Sequence, residues 1–142
     1  MAPEAISFQF QHPTFRLRHR SAIRAWIHAC AAQEGAQIGS LRFLFCDDGH
    51  MLVANRQFLD HDYLTDILTF PDRSAQGIAG DILISVDRTR DNANTLSINP
   101  LDELHRVIAH GILHLIGFDD HTPSDKSTMR SKEDFWLTQR RF

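Results

Sequence analysis

Apolar residues recur along the chain with two periods. Ile6 to Phe10 alternates apolar and polar positions, the pattern of a strand with one buried face. From His19 to Glu34, the residues Ile23, Trp26, Ile27, Cys30 and Ala31 follow helical spacing, and Gly35 ends the run. Leu41 to Cys46, LRFLFC, reads as a second strand. Asp47 or Asp48 can cap a helix running through Met51, Leu52, Asn55 and Phe58. Ile67 to Phe70 and Gly80 to Val86 are two further strands, separated by a loop that Pro71 and Gly77 punctuate. Asp87 to Leu96 reads as a short polar helix. Asn99-Pro100 places a capping side chain before a proline at the first helical position. The helix it starts runs to about Ile116, with Leu101, Leu104, Ile108 and Leu115 inward, and Gly117 suits its end. Thr122-Pro123 opens a last helix in the same way, through Met129, Glu133 and Trp136.

Strands and helices mix without strict alternation. The order predicts an α+β fold: one small domain over 1–142, a mixed sheet of about four strands, and helices packed on it. Two cysteines in 142 residues make no disulfide framework; Cys30 and Cys46 are expected to be buried free thiols. No signal peptide and no run of about 18 apolar residues is visible, so the expectation is a cytoplasmic protein without a membrane span.

A net charge of −3 is not that of a surface coated with positive charge for nucleic acid. A local patch remains possible. The stretch FRLRHRSAIR concentrates Arg16, Arg18, Arg20 and Arg24 near the start of the first long helix. It is a candidate for phosphate contacts and also fits a plain solvated face.

Three of the nine histidines fall within residues 110 to 121, HGILHLIGFDDH, and this clustering carries the chemistry. His110 and His114 are four residues apart, so on a helix both imidazoles project from one face and can reach one ion. Gly117 lets the chain turn back, so that a third ligand can arrive from outside the helix. The long zincin pattern puts that ligand ten residues after the first histidine. Asp120 holds that position and His121 is one beyond. Register favours Asp120; ligand type favours His121. Two histidines and a carboxylate leave a coordination position open, as a catalytic zinc site requires. The residue left over can orient a ligand or a bound water.

The residue after His110 is Gly111, where zinc peptidases carry the glutamate that acts as general base. A glycine takes no proton, so that route to peptide hydrolysis is unsupported; it leaves room beside the metal instead. A base must come from elsewhere: metal hydroxide, His61, or whichever of Asp120 and His121 is not a ligand. The pair His61-Asp62 is attractive because imidazole titrates near neutrality and a carboxylate can orient it. Asp66 reads as a brace for the strand entering the site. His105 lies on another helix face, and Glu133 and Asp134 read as surface or bracing residues.

Three blocks, NRQFLDHDYLTDILTF from Asn55, GDILIS from Gly80 and HGILHLIGFDD from His110, occur in the same order as in the YbeY family of bacterial endoribonucleases, which the chain resembles. The resemblance implies a metal-dependent endoribonuclease acting on single-stranded RNA, working with the ribosome in 16S ribosomal RNA 3′-end processing and ribosome quality control. It implies one zinc or other divalent ion per chain, held by His110, His114 and the residue at position 120. The family pattern usually has histidine there, so either Asp120 is a substitution or the loop holds one extra residue and His121 is the ligand. Leu59 stands where the family has an arginine suited to binding phosphate. A branch of the family is similar to this chain at both positions, which makes these lineage variants. Two rivals stand beside this reading: another metal hydrolase, such as a peptidase or amidase, and a non-enzymatic ribosome-associated factor with a closed, structural metal site.

Overall fold

The computed structural model describes residues 5–61 and 63–142. In chain order these form β1 (Ile6–Phe10), α1 (Arg20–Gln33), β2 (Ile38–Cys46), α2 (Asp48–Leu59), β3 (Ile67–Pro71), β4 (Ile78–Ser85), α3 (Val86–Leu96), α4 (Pro100–Ile116) and α5 (Pro123–Thr138). The strands make one sheet in the order β1-β2-β4-β3. β1 and β4 both run parallel to β2, while β3 runs antiparallel to β4 along the edge. The expected α+β class and mixed sheet are what the chain forms.

Alternation along the strands sends side chains to two faces. Ile6, Leu41, Phe43, Phe45, Ile82 and Ile84 lie in the main core with Ile23, Trp26 and Ile27 of α1 and Ile108 and Ile112 of α4. Cys46 and Leu68 point the other way and meet Met51 and Ala54 of α2 in a smaller cluster. The indole N–H of Trp26 donates to the Trp136 carbonyl at 2.7 Å, tying α1 to α5 deep in the core. Cys30 and Cys46 are free and buried, and burial pushes their thiols up to about 11 and about 12, so both are inert near neutrality.

The helix ends follow their capping residues. The Asn99 side chain accepts from the Leu101 amide at 2.8 Å, with Pro100 at the first helical position. Thr122 and Asp125 form a reciprocal capping box that starts α5. One inward assignment fails: Leu101 is 53% exposed, because it lies in the first turn of α4, ahead of the part that packs on the sheet. β2 also begins earlier than Leu41, through Gly39, whose bare Cα lets the Gln76 carbonyl approach closely.

Candidate active site

α4 crosses the sheet where β3 meets β4. Gly111 faces the sheet at this crossing. A methyl group there would stand 2.7 Å from Ile67 Cδ1 and 3.3 Å from Ile82 Cγ2. The glycine therefore does not open space beside an ion, as its sequence position suggested. It brings the helix onto the strands, and the same crowding excludes a glutamate at that position.

His110 and His114 flank this contact on α4 and line one cavity together with Thr65, Asp66 and Thr69 at β3. Their rings lie nearly parallel, 4° apart, with centroids 6.5 Å from one another. His110 Nδ1 lies 2.7 Å from Glu133 Oε2, and His114 Nδ1 lies 3.1 Å from the Phe118 carbonyl. Both partners are acceptors, so in a neutral ring the proton sits on Nδ1 and Nε2 is the nitrogen left with a lone pair. Gly117, with φ of 128°, ends the helix, and the Phe118 carbonyl lies where His114 can donate to it. This is the arrangement in which metal-ligating histidines are found.

Asp120 Oδ2 lies 3.5 Å from His110 Nε2. Two ligands about 2.1 Å from a tetrahedral ion stand about 3.4 Å apart, so this pair has the spacing of neighbouring ligands. His121 is exposed and lines neither of the cavities that contain His110. Among the described residues no three His, Cys, Asp or Glu side chains are already gathered as a metal-binding group.

Glu133 is buried and Arg106 holds it, with Nη1 donating to Oε1 at 3.0 Å. The other arm of Arg106 donates to Asp134 at 2.6 Å. Both acids are bracing residues, and Glu133 braces His110 itself. Its hydrogen bond is the main cause holding the His110 pKa above the ordinary histidine value, against the opposing effect of burial. Helical spacing puts Lys126, Met129, Arg130 and Glu133 on one face of α5, but which residues that face meets is a tertiary matter.

The His110–Asp120 pair stands between two cavities. One, of about 370 Å³, is lined by Leu59, Thr65, Asp66 and His114 among others. The apolar side chain of Leu59 thus borders the site. The other cavity, of about 400 Å³, has Lys126 and Arg130 of α5 in its wall, with Arg106, Glu103, Met129 and Val107. Nothing in the local sequence around these cations marks them as part of a site. Asp66 borders both cavities, accepts from Asn92 Nδ2 at 3.2 Å, and has its pKa raised chiefly by burial, consistent with a brace.

The remaining candidates lie apart from the pair. His61 follows Asp60, whose φ of 55° turns the chain off α2. Its ring is exposed, stacks on Tyr63 at 5.0 Å and lines neither cavity. Asp62 lies outside the described residues. Arg16 and Arg20 pack over Phe10, and Arg24 packs over Phe8 while donating to the Ile6 carbonyl at 2.9 Å. With Arg18 they flank the β1–α1 loop; none of the four lines a His110 cavity. His105 faces away from the pair, accepting at Nδ1 from Arg140 at 2.8 Å beside Trp26.

The family model for Endoribonuclease YbeY matches residues 6–141. A protein of that name from Cytophaga hutchinsonii is 47% identical over 143 residues, covering 100% of both chains. Another, from Flavobacterium psychrophilum, is 38% identical and covers 91% of each chain. The solution structure of TM1509 from Thermotoga maritima is similar in fold, with a TM-score of 0.60 over 93% of this chain and 87% of that one, at 22% identity. The sheet, the histidine helix and the full-length sequence match agree, and the chain belongs to the YbeY endoribonuclease family.

Proposed function

We propose that this protein is a metal-dependent endoribonuclease that cuts single-stranded RNA, acting with the ribosome in 16S ribosomal RNA 3′-end maturation and ribosome quality control, in the cytoplasm. The family match supports the RNA substrate. No helix among the described residues is long and apolar enough to cross a membrane. The observation that carries the metal site is the 3.5 Å approach of Asp120 Oδ2 to His110 Nε2, with each histidine's Nδ1 already committed to an oxygen acceptor.

In this reading His110, His114 and Asp120 hold one zinc or similar divalent ion, and His121 stays outside the ligand set. When bound, the ion supplies charge for a phosphoryl oxygen and lowers the pKa of a water molecule. Glu133 holds His110 in the correct tautomer and Arg106 holds Glu133. Lys126 and Arg130 place the RNA backbone, in the role that the Leu59 position has lost. The exposed ring of His61 offers no support from its position for a part in proton transfer. The crowding at Gly111 counts against a peptidase built on the neighbouring-glutamate mechanism.

The test measures bound metal and cleavage of a single-stranded ribosomal RNA fragment for the wild type and His114→Ala. About one ion per chain and specific cleavage, both lost in the variant, are expected. A wild type that keeps its ion and cleaves no RNA would instead establish the structural-metal rival.

A further inference from the structure

Glu103 is 6% exposed, yet among the described residues its carboxylate has no hydrogen bond and no ion pair. It belongs to the first turn of α4 and its side chain lines the 400 Å³ cavity beside His110. Its oxygens are not sealed off, since Asn55 Oδ1 is the buried side-chain atom without a partner among the described residues; the Glu103 carboxyl group opens onto the cavity, where a ligand's donors can reach it. Its companions show what kind of ligand fits. Val107 and Met129 offer apolar walls, and Lys126 and Arg130 offer positive charge in the same cavity. Apolar faces, a carboxyl group that makes no hydrogen bond and cations near it match a nucleotide: a flat base, a donor edge and a phosphate.

We propose that this cavity is a guanine-binding subsite for the RNA substrate, with Glu103 reading the base. The proposal rests on the endoribonuclease reading for the origin of that base. Guanine is the one standard base that presents two adjacent donors, N1–H and the 2-amino group, and a carboxylate accepts both side by side. Adenine and cytosine set a ring acceptor beside their amino group, and that lone pair would face the carboxylate. Uracil has one imino donor flanked by two carbonyls. Single-stranded RNA is read in this way, through splayed-out bases hydrogen-bonded on their Watson–Crick edges. Asp66 and Glu133 also border the cavity, which raises the alternative of a second cation. Glu133 is already occupied by His110 and Arg106, and Asp66 by Asn92. The three basic side chains of the wall oppose a further positive charge.

The experiment compares short 2′-O-methyl RNA oligomers, which resist cleavage, identical except for a central guanine, inosine or adenine. Affinity is read by fluorescence anisotropy for the wild type, Glu103→Gln and Glu103→Ala. Wild type should prefer guanine over adenine by roughly 5- to 100-fold, the range of a good bidentate base contact. Inosine, which lacks the 2-amino group, should fall between. Both variants should lose the preference while melting as cooperatively as wild type. Equal affinity for guanine and adenine, a preference that survives both substitutions, or no binding at all would overturn the subsite. So would a manganese titration showing a second ion per chain that Glu103→Gln abolishes. RNA cleavage without base preference removes the subsite and leaves the nuclease reading standing. Guanine-selective binding by a protein that cleaves nothing does the reverse.

Discussion

Glu133 and His110 are 23 residues apart in the chain and 2.7 Å apart in space. The carboxylate takes the Nδ1 proton of the imidazole in a hydrogen bond and leaves Nε2 facing Asp120. Glu133→Ala should therefore weaken metal binding by about 10- to 100-fold, the usual effect of removing a partner behind a ligand. Glu133→Gln, whose amide oxygen still accepts, should recover much of it. Chelator competition measures this, and equal affinities in all three proteins would remove the bracing role. The substitution to alanine also strands Arg106 beside an emptied acceptor, so the metal-free protein should melt earlier as well.

Asp120→Ala should lose more metal than His121→Ala, because only Asp120 approaches an imidazole nitrogen. Metal analysis after dialysis decides the order. The reverse result would place His121 in the ligand set and make the loop one residue longer than its register suggests.

Gly111→Ala adds a methyl group 2.7 Å from Ile67 Cδ1. The isoleucine end can shift, so the cost should be that of moderate overpacking, about 1–3 kcal/mol. Gly111→Glu should fail to give a soluble folded protein. A stable, well-folded glutamate variant would show that α4 is not seated as closely as this.

His105 is buried beside Arg140, and these surroundings lower its pKa to about 4, with burial the larger cause. The unfolded chain takes up this proton nearer pH 6.5, an ordinary histidine value. Between those two values the unfolded state binds more protons, so stability falls as pH drops through the window and is fully present above it. Denaturant midpoints measured from pH 7 down to pH 4 should show this decline. His105→Phe should flatten it, and an identical decline in that variant would assign the acid sensitivity to other groups.

For RNA binding, the combined Lys126→Ala and Arg130→Ala variant should bind more weakly and show a shallower salt dependence. The slope should fall by roughly 0.7 log unit for each phosphate of a single strand that the variant no longer neutralises. Arg18→Glu with Arg20→Glu should have the smaller effect, since Arg20 is already engaged with Phe10 and the Leu17 carbonyl. A larger effect from the arginine pair would return the RNA path to the β1–α1 loop.

Much of this fold is legible in local pattern. The alternation in LRFLFC, the proline-led helix starts and the glycine after Ile116 each report a nearby backbone requirement, and each element formed close to its expected bounds. Leu101 misled because spacing alone cannot tell where along a helix packing begins. The histidine pair was also visible, because four-residue spacing is a property of one helix. Bracing roles were read for Asp66 and Glu133, but not what they hold. Glu133 reaches His110 from α5, and Glu103 is left unpartnered only because of how α4 and α5 enclose a cavity. Gly111 looked like space for an ion because its neighbours across the fold, Ile67 and Ile82, are not adjacent in sequence.

The separation of His110 from Glu133 along the chain has a consequence for synthesis. Both imidazoles are translated well before α5, and the acid that selects the tautomer of His110 comes 23 residues later. A nascent or truncated chain that stops inside that interval has its histidines and lacks the group that prepares one of them. Maturation of the centre is therefore tied to arrival of the final helix, and products ending before residue 133 carry the motif without its conditioning acid.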